Sequence, residues 1–349
     1  MKKAIFAVHT EFHLMFTLKM INLLPEFKES QNIILRISPV GTNRLKDSYN
    51  FSGTGIEYRE LFYNYGFFKE KGLKQAFEDF ILSESPSYYV LFFEFQYWYS
   101  YLLPKIKRIG AEIILAPDGV NLYLEDIGIK RRFKYFFYNN LLLWTNGFFC
   151  FMRFPAKHSG YRKEIDTIIM ENKEAIGFFT RKKVVDLEPI YQTEVKSISG
   201  CIKRCFNYVN EYDIIEKGSF LILDQPMSED EGQRMVEIMK SLKCLYPETN
   251  FYIKPHPHSN WKIVQTFEEI LNGKIINPPI PAELILDNLE GVGIISICST
   301  ALLHRNLNCR YYWIYPMFRN NAGFNPKALL FDHIHVVNSL NDIKPYISK

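Results

Sequence analysis

The feature that most restricts the fold of this chain is the exchange of short, wholly apolar runs with longer stretches of helical period. Ala4–Val8 is apolar at every position. Thr10–Leu24 then spaces Phe12, Met15, Phe16, Leu18, Met20, Ile21 and Leu24 at helical intervals, and Pro25 follows. An apolar run without alternation suits a strand covered on both faces, as a parallel sheet with crossover helices requires. Asn32–Ile37 reads as the next strand, Gly41–Gly55 as a polar loop and Glu70–Ser83 as a helix. Tyr88–Phe93 is a strand, Tyr97–Arg108 a helix stopped by Gly110, and Glu112–Leu115 a strand again.

A second series begins at the strand Gly218–Leu223. Asp230–Leu245 has an acidic start and an apolar face through Met235, Ile238, Met239 and Leu242, so it reads as an amphipathic helix. Asn250–Ile253, Lys274–Ile276, Gly293–Ile297 and Tyr311–Ile314 read as strands, and Trp261–Ile270 and Thr300–Asn306 as helices. The boundary falls within 186–217, which is polar and lacks a strong apolar period. The expected class is α/β: two Rossmann-like domains, 1–200 and 214–349, facing each other across a cleft. Ligands of open α/β sheets bind at the carboxyl ends of strands, although fold alone does not specify chemistry.

The charge balance excludes one class of partner. Against 38 acidic residues the 349-residue chain has 42 basic ones, a net charge of +4. Nucleic-acid binding usually demands a stronger basic excess. The six cysteines are scattered with no C-x-x-C pair, which points to reduced thiols rather than a metal site or disulfides. His9, Glu11 and His13 interrupt the apolar N-terminus, so it does not read as a signal peptide, and no run of about 20 uncharged apolar residues is long enough to span a bilayer. A cytoplasmic protein is expected. Aromatic residues are abundant at 16%, enough for a large core and for rings that meet sugar or lipid.

Three short motifs each follow a strand. Ala116-Pro117-Asp118-Gly119 places a carboxylate on a tight turn, where Asp118 could take a proton from a sugar hydroxyl. The same string is also an ordinary turn, with Pro fixing φ and Gly permitting a positive one. Lys254-Pro255-His256-Pro257-His258-Ser259 holds its histidines on a stiff backbone. An imidazole there suits hydrogen bonding to a phosphate leaving group, and Lys254 adds a point charge. A solvent-facing loop and a metal site are the other readings, and a His-x-His pair without nearby Asp or Cys is weak metal evidence. Ser296-Ile297-Cys298-Ser299-Thr300 offers hydroxyl and backbone donors at an expected helix start, where the dipole favours an anion. A plain N-cap explains it equally.

Taken together and in this order, Asp118-Gly119, His256-Pro257 and Ser299-Thr300 resemble the acidic-acidic-Gly, HP and Ser-Ser/Thr motifs of bacterial lipooligosaccharide sialyltransferases (glycosyltransferase family 52) and their capsular polysialyltransferase relatives. The opening HTEFHLMFTLKMI is similar to that group's first strand-to-helix segment. LILDQPMSED, which contains Gln225, is similar to the strand and turn opening its second domain. The resemblance implies a GT-B fold and inverting transfer of a sialic or related nonulosonic acid from a CMP-activated donor to a bacterial surface glycan. It implies Asp118 as base and His256 as the group that hydrogen-bonds or protonates the departing phosphate. Gly119, Gln225, Lys254, Pro257, Ser299 and Thr300 would hold the donor. No metal or other cofactor is implied, because CMP leaves with a single phosphate. One departure is Pro117, which stands where the group has a second acid. Glu125 and Asp126 follow nearby, and Glu11 and Glu94 are further acids that could face a cleft. A CDP-alcohol or Kdo-type transferase on the same scaffold remains an alternative, as does a non-catalytic capsule-assembly or sugar-binding protein.

The stretch Arg131–Phe154, RRFKYFFYNNLLLWTNGFFCFMRF, is basic at its start and filled with rings and leucines. It reads as an in-plane membrane helix that would place the protein on the inner face of the inner membrane. It reads equally as a buried helix with a snorkelling basic end.

Overall fold

The computed structural model describes residues 1–40, 49–64, 66–68, 72–118, 128–155, 160–171, 173, 180–187, 199–208, 214–276, 280–318 and 331–345. The chain divides into two compact units, Met1–Asn207 and Tyr208–Lys349.

The first unit is built on a seven-stranded sheet in the order β3-β2-β1-β4-β5-β6-β7. Its strands are β1 (Lys3–Val8), β2 (Gln31–Pro39), β3 (Glu57–Tyr63), β4 (Tyr88–Leu91), β5 (Glu112–Leu115), β6 (Thr167–Met170) and β7 (Lys183–Asp186). Every pairing is parallel, and Phe6 of β1 lies opposite Ile34 of β2 on one side and Val90 of β4 on the other. Ala4–Val8 are wholly buried, which explains the unbroken apolar run. The helices are α1 (Glu11–Leu23), α2 (Pro25–Lys28), α3 (Leu73–Phe77, running into a π turn over Glu78–Leu82), α4 (Tyr99–Arg108), α5 (Ile129–Thr145) and α6 (199–205). Thr10 caps α1 by accepting the N–H of His13 at 3.2 Å.

The second unit has a six-stranded parallel sheet in the order β10-β9-β8-β11-β12-β13. These strands are β8 (Phe220–Leu223), β9 (Phe251–Lys254), β10 (Lys274–Ile275), β11 (Gly293–Ser296), β12 (Arg310–Trp313) and β13 (Ile334–Val336). A capping box between Ser228 and Glu231 opens α7 (Glu229–Leu245). Its Met235, Ile238, Met239 and Leu242 pack with Phe220, Ile222, Phe251 and Ile253 of the sheet and with Val264 and Phe267 of α8 (Trp261–Leu271). A short α9 (Ala282–Leu286) precedes β11. Gly293 faces Phe220 across the β8–β11 pair, and a Cβ there would meet the Phe220 ring at 2.6 Å. Any larger residue there would have to displace that buried ring.

In both units the first strand has neighbours reached in opposite chain directions, so a topological switch point lies between β1 and β4 and between β8 and β11. Four strands escape the apolar reading of the sequence. β3, β7 and β13 lie at sheet edges and are partly exposed, so their sequences carry charge or polarity. β6 is a buried apolar run of the same length as β5 and was open to the same reading.

Two expected helices are shorter. Thr300–Asn306 forms one 3-10 turn, Thr300–Leu303, after which His304 is extended. The His304 ring bonds the Asp287 carboxylate, and the Asn306 amide donates to the carbonyls of Leu286 and Leu289, each at 2.8 Å. These contacts pull the chain out of helix. The stretch 131–154 is helical only to Thr145. Gly147, at φ +78°, and Phe148 return their N–H groups to Trp144 and Leu143 at 3.1 and 2.9 Å, a Schellman ending.

The loop after β4 is anchored from inside. Glu94 is buried, and its Oε1 accepts the Gly160 N–H at 2.6 Å while Oε2 has no hydrogen-bond partner among the described residues. Burial pushes its carboxyl up to about 7, opposed by the Gly160 N–H and the nearby Arg162 cation. The folded chain therefore holds this proton to higher pH than the unfolded chain. The contribution of Glu94 to stability is greatest below its ordinary carboxylate range and falls as pH rises through about 7. Glu94→Gln should remove that decline, leaving the variant more stable than the parent at pH 8 by up to roughly 3 kcal/mol. Urea unfolding at pH 5 and pH 8 reads the difference, and an unchanged slope would remove Glu94 as its source.

Candidate active site

The residues singled out in the sequence fall into two groups, one in each unit.

In the first unit, β5 ends at Leu115, and the buried Ala116 and Pro117 carry the chain to Asp118. Asp118 Oδ1 lies 2.9 Å from Nε2 of His13, a residue of α1 distant by 105 positions in the chain. The backbone N–H of His9 donates to His13 Nδ1 at 3.2 Å, so the ring proton sits on Nε2 and points at the carboxylate. Phe92, just past β4, stacks on the same ring at 4.3 Å between centroids and 10° between planes. The two partners differ in access. His13 is 2% exposed with both nitrogens engaged, whereas the Asp118 side chain is 33% exposed. Asp118 is thus the member of this pair that can exchange a proton with a bound molecule, and His13 orients it. The sequence reading passed over His13 because its partner follows a different strand. Its place on the first helical turn after β1 was the available signal.

Gly119, Glu125 and Asp126 lie outside the described residues. Glu11 is half-buried on the first turn of α1, and Glu94 is enclosed. A cavity of about 300 Å³ in this unit is lined by Glu94, Phe151, Phe154, Tyr161, Arg162 and neighbouring residues. No residue of the three motifs lines it.

In the second unit the loops after β8, β9 and β11 are adjacent, because β8 pairs with both other strands. Gln225 Oε1, after β8, accepts the Cys298 N–H at 2.9 Å and the Ser296 hydroxyl at 3.3 Å, so it ties its loop to the one after β11. Ser299 Oγ accepts the Ala301 N–H at 3.3 Å, and its carbonyl accepts the Trp313 indole N–H at 3.2 Å. Ser299 and Thr300 are half-buried. With a single 3-10 turn behind them, these residues have no helix dipole to offer an anion, which corrects that part of the sequence argument. Their hydroxyl and amide groups remain.

Lys254 is the last residue of β9 and is buried, its ammonium 3.4 Å from the Pro255 carbonyl. The turn that follows exposes His256, Pro257 and His258. The His258 N–H donates to His256 Nδ1 at 3.1 Å, so Nε2 carries the proton of the neutral ring. The turn is bonded through Ser259 to Asp224, the residue directly after β8. Asp224 lay within a string compared with known enzymes, yet nothing in its local sequence marked it as a partner of the histidine loop. Among the described residues, no group of three or more His, Cys, Asp or Glu is placed to hold a metal ion.

Comparison with known proteins identifies the fold and the family. The GT-B domain of a sialyltransferase from Photobacterium damselae superposes with a TM-score of 0.52 at 12% identity, covering 90% of this chain and 91% of that one. A 2,6-sialyltransferase from a Photobacterium species, solved with CMP and lactose, gives 0.52 at 11% identity over 96% of this chain and 78% of that one. At such identities the likeness establishes the fold, which is GT-B. No curated protein sequence matches the chain. The family model for alpha-2,8-polysialyltransferases matches residues 69–307. That span is more than half of the sequence and contains Asp118, His256 and Ser299, and the chain therefore belongs to the alpha-2,8-polysialyltransferase family, glycosyltransferases of the sialyltransferase type.

Proposed function

We propose that this glycosyltransferase moves sialic acid, or a related nonulosonic acid, from its CMP-activated donor to a glycan acceptor with inversion at the anomeric carbon. The observation that carries the reading is the family match, within which the two chemically competent groups fall. Asp118 takes the proton of the acceptor hydroxyl, held in orientation by His13. The acceptor oxygen attacks the anomeric carbon as the bond to the CMP oxygen breaks, and the electron pair of that bond passes to the phosphate. His256 Nε2–H donates to that oxygen, and the hydroxyls of Ser299 and Thr300 hold the phosphate. Donors aimed at developing charge act mainly in the transition state. The α-2,8 linkage in the family's name, and repeated rather than single transfer, belong to the same proposal.

Release of CMP from CMP-sialic acid and related CMP-nonulosonates, compared with CDP-glycerol, tests the donor. Asp118→Asn should lower kcat by about 10²–10⁴ with donor binding nearly unchanged. His256→Ala should lower it by about 10²–10³. A preference for CDP-glycerol would replace the donor class, and a fully active Asp118→Asn would move the base to another acid. Turnover should survive exhaustive chelation, since the leaving group carries one phosphate; loss restored by adding a divalent ion would overturn that.

A lipid-linked acceptor and contact with the inner membrane surface complete the proposal, and the exposed face of α5 supports them. Among the described residues no helix is long and apolar enough to cross a membrane. Phe133, Phe137, Leu141 and Trp144 follow one another at spacings of four, four and three on α5, while Asn139, Leu142 and Leu143 face inward. Phe137 is 66% exposed, Phe149 84% and Phe151 67%. Their rings pack on one another at the surface, Trp144 with Phe151 and Phe133 with Phe154, each pair 4.9 Å apart. Lys130, Arg131, Lys134 and Arg153 are exposed on the same segment, matching anionic headgroups at about 1 kcal/mol per cation. The protein should bind phosphatidylglycerol vesicles, less so at high salt, and Phe137→Glu with Phe151→Glu should abolish binding while leaving CMP release intact. A dimer broken by the same substitutions, without vesicle binding, would assign the face to a second copy of the chain.

A further inference from the structure

The histidine loop of the second unit is held by residues outside its motif. Asp224 is buried at the end of β8, and its backbone N–H donates to the Lys254 carbonyl at 3.0 Å, extending the β8–β9 ladder by one bond. Its Oδ2 accepts the Ser259 hydroxyl hydrogen. Ser259 Oγ in turn accepts the His256 N–H at 2.8 Å, and the Ser259 N–H donates to the His256 carbonyl at 2.9 Å. The His258 N–H, inside the same turn, donates to His256 Nδ1.

The direction of each bond follows from the one before it. A hydroxyl has one hydrogen to give. With that hydrogen committed to Asp224, the Ser259 oxygen presents its lone pairs to His256. The closed turn then brings the His258 amide onto Nδ1, which leaves the imidazole proton on Nε2.

We propose that Asp224, acting through Ser259, is the positioning residue that fixes the tautomer and aim of His256. The proposal rests on the reading of His256 as donor to the leaving phosphate. A carboxylate serves better here than a neutral acceptor, because charge-assisted hydrogen bonds are about twice as strong and so hold the hydroxyl rotor. The arrangement also has a cost that packing alone does not explain. Asp224 Oδ1 is buried and makes no hydrogen bond of good geometry among the described residues, and burial raises the carboxyl above its ordinary range against the opposing Ser259 hydroxyl and Gln225 backbone N–H.

The test uses the full chain with ¹⁵N-labelled histidine, and Asp224→Asn and Ser259→Ala made in the parent and in His256→Ala. In the parent, His256 should give the nitrogen shifts of an Nε2–H ring. Either substitution should yield mixed tautomers and lower kcat for CMP release by about 10- to 100-fold with donor KM nearly unchanged. Neither should lower activity further in the His256→Ala background, and Ser259→Thr, which keeps the hydroxyl, should retain activity. Thermal unfolding reports whether each variant folds; Ser259→Ala removes one oxygen only and serves if Asp224→Asn does not fold. An unchanged tautomer in Ser259→Ala, or an equal loss with and without His256, would overturn the proposal. Full turnover by His256→Ala would instead remove the donor role of His256, while the tautomer in Ser259→Ala would still decide whether Asp224 holds the ring.

Discussion

The parallel pairing of β8 with both β9 and β11 is the constraint on which the second unit depends. A parallel sheet returns each strand through a crossover, so every strand ends at the same edge. Where the first strand's neighbours are reached in opposite chain directions, two crossovers diverge and leave a gap. Residues 224 and 225 sit at that gap. Asp224 bonds outward to the loop after β9, and Gln225 to the loop after β11. Two consecutive side chains thus tie together segments that begin about 30 and 70 residues further along the chain. The preference for glycine at 293 follows from the same pairing, since a larger residue there would have to displace the Phe220 ring.

Much of this was legible in the sequence, and the reasons for the exceptions are physical. Ala4–Val8 and Glu112–Leu115 were readable because strands buried on both faces admit little but apolar residues. Asp230–Leu245 was readable because its buried face repeats every three to four positions. β3 was not, because an edge strand with only Tyr63 buried carries Glu57, Arg59 and Glu60 and imitates a loop. The helix read over Thr300–Asn306 failed for a different reason: local propensity lost to the long-range bonds of His304 and Asn306. The same division runs through the site. Asp118, His256 and Ser299 stand in recognisable strings, whereas His13 and Asp224 acquire meaning only from partners on other strands.

The two histidines show how burial divides labour between identical side chains. Both take a backbone N–H on Nδ1 and so carry the proton on Nε2. His13 is buried against Phe92 and spends that proton on a carboxylate of the same chain. His256 stands on an exposed turn of the second unit. A tautomer set by the main chain thus points one ring at a carboxylate of its own chain and places the other on an exposed turn.

The His13–Asp118 bond also bears on how the protein is made. β1 lies at the middle of its sheet and must pair with β2 on one side and β4 on the other, and β5 adds beyond β4. Asp118 reaches His13 only after β4 has paired with β1 and β5 with β4. Long-range parallel pairing of this kind forms slowly, because loop closure precedes the contacts that reward it. During synthesis His13 therefore emerges 105 residues before the carboxylate that will partner it. A chain arrested before β5 has docked contains His13 on a helix but no oriented Asp118 beside it. Formation of the His13–Asp118 pair is thus coupled to the docking of β5 onto the sheet.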